Sequence, residues 1–200
     1  METIRGKVSR ELDFNALTEQ LAGYQRILLD IGTGDGRFVR DLAEGHSGWF
    51  LIGLDTCREN LHEHSRAKAP NMLFIIAGAQ SLPHELNGLI SHITINFPWG
   101  SLLKSLLHAD LALLDGIRSV SRRVTSLEIR LNGGAMAEMG TTLESGISQI
   151  SDNLSRYGWQ VDTPAVMGVP ALRAFPSTWA RRVAIGRDPR AFRLNGSLLR

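Results

Sequence analysis

Short apolar segments alternate with amphipathic ones along most of this 200-residue chain, and this alternation constrains the fold more than any other feature. Apolar runs of strand length cover residues 26–32, 49–55, 71–78, 90–97 and 124–131, with a further strand predicted near 159–166. Helical patterns cover residues 13–22, 35–45, 57–68, 109–120 and 143–157. Continuous apolar strands between helices indicate a mostly parallel α/β sheet covered on both faces. Ligands of such sheets bind beyond the carboxyl ends of the strands.

Composition narrows the class of protein. Hydrophobic residues make up 43% of the chain, enough for a core, and no apolar run approaches the roughly 18 residues of a membrane span. The N-terminus lacks the apolar stretch of a signal peptide, and the single cysteine, Cys57, excludes an internal disulfide. We therefore expect a cytoplasmic protein without membrane contact, built as one domain over residues 1–200 with a short N-terminal extension over about 1–12.

The charge is unevenly distributed along the chain. The net charge is +2, but residues 181–200 contain six arginines and one acidic residue, which gives this segment a charge of +5. A basic end on an otherwise mildly acidic chain favours a phosphate-binding face, and a solvated tail is the alternative. The histidines are scattered, so no metal site is expected.

A glycine-rich loop follows the first predicted strand, in the sequence LLDIGTGDGRF. Gly32, Gly34 and Gly36 allow the backbone to turn sharply and to approach a ligand closely. Asp55 ends the second predicted strand, where its carboxylate can accept hydrogen bonds from ribose hydroxyls. The pattern therefore indicates a nucleotide-containing cofactor, and a loop that is tight only for packing is the alternative.

The residues around this loop favour S-adenosylmethionine over a nicotinamide dinucleotide. The dinucleotide pattern requires a glycine at position 37, which is Arg37 here. Asp30 precedes the loop, where a carboxylate suits the ammonium group of S-adenosylmethionine better than a pyrophosphate. Ala79 and Gln80 follow the third strand and are expected to meet the adenine, although an ordinary polar turn explains them equally well.

Two tryptophans lie where a buried ring is not expected. Trp99 follows the fourth strand in NFPWG, which is similar to the Asn-Pro-Pro-aromatic loop of amino-group methyltransferases, with Phe97 replacing the first proline. Trp179 lies near a predicted helix start in PSTWARR, next to Arg181 and Arg182. An aromatic ring beside arginines can stack on a base while the charges bind the backbone, so this pair indicates a nucleic-acid substrate.

These stretches together resemble one family, the Kam-type aminoglycoside-resistance methyltransferases, which modify N1 of adenosine 1408 in 16S rRNA. The matching segments are GKVSREL (6–12), LLDIGTGDGRF (28–38), LIGLDTCRENL (51–61), FPWGSLL (97–103) and STWARR with GRD (177–188). The resemblance implies a class I, Rossmann-like methyltransferase fold with a mostly parallel seven-stranded sheet and helices on both faces. It also implies an N-terminal hairpin and an insert around 132–142, where the composition predicts a loop.

The resemblance also implies roles for individual residues. Trp99 and Trp179 would sandwich a flipped adenine, and Ser177 would help to hold the nucleotide. The expected cofactor-binding residues are Asp30, Gly32, Thr33, Gly34, Gly36, Asp55, Thr56, Ala79, Gln80, Asn96 and Ser101. The expected RNA-binding residues are Lys7, Arg10, Arg66, Lys68, Arg181, Arg182 and Arg187.

The implied function is S-adenosylmethionine-dependent methylation of N1 of adenosine 1408 in the assembled 30S subunit, by a monomer, giving aminoglycoside resistance. N1 of adenine carries no proton, so the transfer needs no general base and catalysis depends mainly on positioning. The alternatives are a methyltransferase that acts on another RNA, a small molecule or a protein, and an RNA-binding protein that does not methylate.

Overall fold

The computed structural model describes residues 1–199, and in this range ten strands form one sheet. The strands are β1 (Glu2–Arg5), β2 (Val8–Glu11), β3 (Arg26–Ile31), β4 (Trp49–Asp55), β5 (Met72–Ile76), β6 (Ile90–Asn96), β7 (Ser121–Asn132), β8 (Gln160–Val161), β9 (Ala165–Met167) and β10 (Ala191–Leu199). The helices are α1 (Phe14–Leu21), α2 (Arg37–Gly45), α3 (Arg58–Leu61), α4 (Gly100–Leu107), α5 (Leu111–Val120), α6 (Gly133–Glu138), α7 (Leu143–Arg156), α8 (Val169–Ala174) and α9 (Thr178–Ile185).

Five parallel strands form the centre of the sheet. The strand order is β2-β1-β5-β4-β3-β6-β7-β10-β8, and β9 pairs with β10 outside this path. The strands from β5 to β7 run parallel, whereas β10 is antiparallel to both β7 and β8. The run from β5 to β8 is therefore the expected seven-stranded sheet. The hairpin of β1 and β2 adds two antiparallel strands beside β5, which makes the complete sheet mixed.

Apolar side chains cover both faces of the parallel strands. In β3, Ile27 and Leu29 belong to the larger hydrophobic cluster, whereas Leu28 packs on the other face against Phe38 and Val39 of α2. Successive side chains of a strand point to opposite faces, so a strand buried on both sides is apolar at most positions. This explains the run Ile27, Leu28 and Leu29 that identified β3 in the sequence, and Asp30 is the buried polar exception.

Residues 57–68 do not form the continuous helix that their polar pattern predicts. They contain the four-residue helix α3 and a 3-10 turn at His64–Arg66. Leu61 is the one apolar side chain of 57–68 that is fully buried, and a short helix without an extended apolar face has little to stabilise it.

Two further predictions require correction. The prediction of a loop over 132–142 is wrong for residues 133–138, which form α6. Ala135 and Met136 of this helix are buried in the main core, and this burial outweighs the low helix propensity of Gly133 and Gly134. The strand expected near 159–166 is divided into β8 and β9. Pro164 lies in the break, and its missing N–H cannot join a ladder.

Between β9 and β10 the chain leaves the sheet and packs on a separate small core. Helices α8 and α9 contribute Leu172, Ala180 and Val183 to this core, and Phe97 at the end of β6 completes it. Because Phe97 follows a central parallel strand, the contact holds α9 at the carboxyl end of the sheet, where ligands of such folds bind.

Candidate active site

The glycine loop between β3 and α2 combines tight packing with one open position. Gly32, Gly34 and Gly36 have φ angles of 72°, 61° and 77°, a region that other residues rarely adopt. A Cβ at Gly36 would lie 2.5 Å from the ring of Phe74, whereas a Cβ at Gly34 would meet nothing within 4 Å. Gly36 is therefore required for packing, and Gly34 borders open space where a ligand can approach the backbone.

Asp55 at the end of β4 fixes this loop and keeps acceptor capacity for a ligand. Its Oδ2 accepts a hydrogen bond from the Gly34 amide at 2.9 Å, and its Oδ1 accepts one from the Cys57 amide at 2.9 Å. A carboxylate has about four acceptor sites, so two remain, and Asp55 lines the adjacent cavity. This arrangement suits the two hydroxyls of a ribose.

A cavity of about 220 Å³ lies at the carboxyl ends of the parallel strands. The predicted site residues that line it are Gly32, Gly34, Asp55, Thr56, Ala79, Gln80, Asn96, Trp99, Ser101 and Trp179. The lining residues that were not among the predicted site residues are Leu54, Asn60, Ala77, Phe97, Pro98 and Leu102, of which Phe97 and Pro98 belong to the NFPWG turn noted in the sequence. Most of them are next to a predicted residue in the chain, and this neighbourhood was the sequence signal that could have identified them. Asn60 lies five positions after Asp55, and no signal in the sequence indicated that it lines the cavity.

Four of the residues predicted to contact the cofactor or the flipped base lie outside the cavity lining, namely Asp30, Thr33, Gly36 and Ser177. Asp30 is 1% exposed, and its Oδ1 accepts hydrogen bonds from Thr94 Oγ1 at 2.7 Å and from Asn96 Nδ2 at 2.8 Å. Burial raises the pKa of Asp30 to about 6, against the opposing effect of these hydrogen bonds. Asp30 therefore lies behind Asn96, which lines the cavity, and the contact of Asp30 with a cofactor ammonium group stays a prediction.

Asn96 is held from both ends of its side-chain amide. Arg130 Nη1 donates to Asn96 Oδ1 at 2.6 Å, while the amide nitrogen donates to Asp30. Arg130 also pairs with Glu128, and its guanidinium carbon lies 4.3 Å from the centroid of the Phe175 ring. Burial lowers the pKa of Arg130, and the charge of Glu128 counteracts this shift. The network fixes the orientation of Asn96 at the cavity wall.

The NFPWG turn adopts a strained backbone conformation. Phe97 has a φ of 51°, which is unusual for a bulky residue and especially before a proline. Such a conformation costs on the order of 1–3 kcal/mol and persists only where surrounding contacts enforce it. Here the Phe97 amide donates to the Arg130 carbonyl at 2.8 Å, and the Phe97 ring is buried in the small core. The turn directs Trp99 to the cavity.

Trp99 and Trp179 meet at the cavity, as the family resemblance implies. Their ring centroids are 5.7 Å apart with an interplanar angle of 21°, and each residue is 41% exposed. Ser177 caps α9, because its Oγ accepts a hydrogen bond from the Trp179 amide at 3.2 Å. The guanidinium carbon of Arg182 lies 5.0 Å from the Trp179 ring centroid. Two large, partly exposed aromatic faces therefore lie beside a basic helix.

The predicted RNA-binding residues fall into two exposed groups. Lys7 and Arg10 belong to the hairpin of β1 and β2, next to Arg66 and Lys68 of the linker between β4 and β5. These two segments touch, since the Gly6 amide donates to Ser65 Oγ at 2.8 Å. The second group consists of Arg181, Arg182 and Arg187 in and after α9.

Two further arginines of the basic C-terminal segment form ion pairs within the protein. Arg190 pairs with Asp188 and Glu144, and Arg193 in β10 lies 3.7 Å from Glu128. The solvated tail considered as an alternative is therefore wrong for β10. Arg200 falls outside the described residues.

Comparison with known proteins decides the family. The model of the NpmA family, described as 16S rRNA (adenine(1408)-N(1))-methyltransferase, matches residues 2–198. The chain belongs to this family. The 16S rRNA (adenine(1408)-N(1))-methyltransferase of Escherichia coli is 31% identical over 98% of both chains. The enzyme of the same name from Streptoalloteichus hindustanus is 29% identical over 89% of this chain and 88% of its own.

Solved structures of family members share the fold. The 16S rRNA methyltransferase KamB superposes with a TM-score of 0.90 at 25% identity, over the full length of both chains. A W203A mutant of the 16S rRNA (adenine(1408)-N(1))-methyltransferase from Catenulisporales acidiphilia, solved with its cosubstrate S-adenosylmethionine, superposes with a TM-score of 0.87. The latter is 26% identical over 100% of this chain and 97% of its own. The predicted class I methyltransferase fold and family membership are confirmed.

Proposed function

We propose that this chain transfers the methyl group of S-adenosylmethionine to N1 of adenosine 1408 in 16S rRNA and thereby gives resistance to aminoglycosides. The relatives of the same family are named for this reaction. The observation that carries the proposal is the stacked pair of Trp99 and Trp179, because both rings line the same cavity as the glycine loop and Asp55. A base held by the rings is therefore next to a cofactor held by the loop.

The cavity residues fit S-adenosylmethionine part by part. The free acceptor sites of Asp55 suit the ribose, and the open space at Gly34 admits the cofactor against the backbone. Gln80 Nε2 donates to Ser105 Oγ at 2.9 Å, so the Gln80 carbonyl oxygen is the group left to accept from the adenine amino group. When bound, the cofactor supplies an electrophilic methyl group on a sulfonium. Asp30 contributes through Asn96, whose orientation it fixes.

The paired indoles must separate to admit a base. Carbon atoms in contact lie about 3.5 Å apart, so a base between two rings requires about 7 Å, more than the observed 5.7 Å. The cavity of about 220 Å³ is likewise smaller than the roughly 300–1,000 Å³ of typical small-molecule sites. Stacking returns roughly 1–3 kcal/mol per base, against a few kcal/mol for extruding a nucleotide.

The chemistry needs positioning and not proton transfer. The N1 lone pair of adenine could accept the methyl group without the loss of a proton, and the methylated base would then carry the positive charge that a bound cofactor gives up. Among the described residues that line the cavity, Asp55 is the only ionisable one, and it faces the ribose. Trp99 and Trp179 can stabilise the cationic methyladenine through their ring faces.

We further propose that the substrate is the assembled 30S subunit and that the enzyme acts as a cytoplasmic monomer. The hairpin with its adjacent linker and α9 supply two separate basic surfaces, which suits a folded ribosomal surface better than a single strand. We treat residues 1–200 as one domain, since all ten described strands share a sheet. No helix within residues 1–199 is long and apolar enough to cross a membrane.

The test is methyl transfer from labelled S-adenosylmethionine to purified 30S subunits, to protein-free 16S rRNA and to free adenosine. We expect rapid transfer to 30S subunits and none to adenosine. Transfer to adenosine or to a protein would indicate another substrate class, and tight 30S binding without incorporation would indicate an RNA-binding protein that does not methylate.

A further inference from the structure

A hydrogen bond joins the cofactor loop directly to the helix that carries Trp179. Thr178 Oγ1, in the first residue of α9, donates to Asp35 Oδ2 in the glycine loop at 2.8 Å. The two residues are 143 positions apart in the chain, and both are partly buried. The bond therefore spans the two halves of the site, the loop expected to hold the cofactor and the helix expected to hold the base.

The Asp35 carboxylate forms hydrogen bonds both within the glycine loop and to α9. Its other oxygen, Oδ1, accepts from the Arg37 amide at 3.1 Å, so the carboxylate is fixed by the loop on one side and by α9 on the other. Gly34 and Gly36 flank it, and Gly34 lines the cavity. A cofactor that orders the backbone at Gly34 therefore also orders the Asp35 carboxylate.

Thr178 is placed to transmit this order to the base-binding ring. It directly precedes Trp179, and its hydroxyl is not required for capping α9 because Ser177 performs that role. A second contact supports the same link, since Phe175 stacks on Phe38 of α2 with centroids 5.2 Å apart. The loop and α2 thus contact the α8–α9 segment at two points.

We propose that Asp35 and Thr178 are positioning residues through which cofactor binding and nucleotide binding favour one another. This inference rests on the proposed function. A cofactor that orders the glycine loop also fixes α9 through this hydrogen bond. The RNA then binds an α9 that is already ordered and loses less free energy to ordering, so the two ligands bind cooperatively. By linkage, the RNA must strengthen cofactor binding by the same factor. Because the hydrogen bond between Thr178 and the Asp35 carboxylate is only partly buried, we expect a factor of about tenfold, near the lower end for a bond to a charged group.

Hydrogen exchange measures the coupling without any methyl transfer. We expect S-adenosylhomocysteine, the demethylated product, to protect the amides of both the glycine loop and α9 in the wild-type protein. Thr178→Val removes the hydroxyl at almost constant shape and should strongly reduce the ligand-induced protection of α9, while the protection of the glycine loop remains. Thr178→Ser should restore it, and Thr163→Val, at an exposed threonine outside the site, should behave as wild type. Equal loss of α9 protection with and without ligand would mean a purely structural role and would overturn the proposal.

Kinetics on 30S subunits give the second readout. At saturating S-adenosylmethionine, Thr178→Val should raise the KM for 30S subunits about 5- to 10-fold, with a smaller change in kcat and with Thr178→Ser close to wild type. An unchanged KM in Thr178→Val, with wild-type enzyme active in the same assay, contradicts the inference while leaving the proposed function intact. If the wild-type enzyme does not methylate 30S subunits, the proposed function fails and the exchange result alone decides the coupling.

Discussion

Replacement of Trp179 by alanine removes one face of the proposed base clamp and should leave the fold intact. The Trp179 ring is 41% exposed, and α9 is anchored by Ala180, Val183 and Ala184 on its buried side. One stacked face contributes roughly 1–3 kcal/mol, and attraction of the cationic product to the ring adds roughly 0.5–1 kcal/mol. At tenfold per 1.4 kcal/mol, kcat/KM for 30S subunits should fall by about 10- to 1,000-fold.

The assay for Trp179→Ala is incorporation of labelled methyl groups into 30S subunits, with calorimetry to show that S-adenosylmethionine affinity stays within a few-fold. Trp49→Ala is a matched control. Arg26 lies 5.1 Å from the Trp49 ring, much as Arg182 lies 5.0 Å from Trp179, but Trp49 begins β4 and so lies at the end of the parallel strands opposite the cavity. Trp49 packs on the second core, so thermal unfolding must first show that Trp49→Ala is folded. A Trp179→Ala enzyme that methylates normally, or an equal loss in a folded Trp49→Ala protein, would refute the clamp.

Three further predictions concern the cofactor half of the site. Gly34→Ala should cost roughly 1–2 kcal/mol of stability because of its positive φ, and it should lose most of its cofactor affinity. Gly36→Ala should destabilise the protein more, because its Cβ would also meet the Phe74 ring. Thermal unfolding measures the stabilities and calorimetry the cofactor affinities, and equal stabilities of the two variants would contradict the packing argument. Asp55→Ala should weaken S-adenosylmethionine binding by about 10- to 100-fold, since a charged acceptor for the ribose is lost, and unchanged calorimetric affinity would rule out that role. The pKa of the Asp30 carboxyl is about 6 in the folded protein and 3.8 when the group is exposed. Between pH 3.8 and about 6 the unfolded chain has therefore lost a proton that the folded protein keeps, so the free energy of unfolding falls as the pH rises. Asp30→Asn should remove about 3 kcal/mol of this decrease between about pH 4 and pH 7, as measured by urea denaturation, and equal pH dependence in both proteins would contradict it.

The parallel core of the fold was predictable because each of its strands is apolar on both faces. The antiparallel edges were not. Strand β10 lies in a basic segment and mixes apolar residues with Arg193, Asn195 and Ser197, so it lacks the apolar run of the central strands. Its place in the sheet depends on pairing with β7, which the local sequence does not show. The helix α4 also escaped prediction, since it begins at Gly100, the last residue of the strained NFPWG turn. The N-terminal hairpin followed from the family resemblance alone.

The candidate site was predictable where its chemistry is local. The glycine loop and Asp55 carry their function in short motifs at strand ends, and both line the cavity. The position of Asp30 was not predictable, because its burial depends on Thr94 and Asn96 from a neighbouring strand. Side-chain bonds between distant segments leave no local pattern, and this applies to the network around Arg130 and to the bond from Thr178 to the loop.

The most direct test of the base clamp and its chemistry is reverse transcription of 16S rRNA from cells that express the protein. A methyl group on N1 blocks the Watson–Crick edge of adenine, so the transcript should stop beside adenosine 1408. We expect this stop with the wild-type protein and its near disappearance with Trp179→Ala at equal expression. Read-through at adenosine 1408 in cells that contain the wild-type protein, or a stop at another nucleotide, would contradict the proposed function.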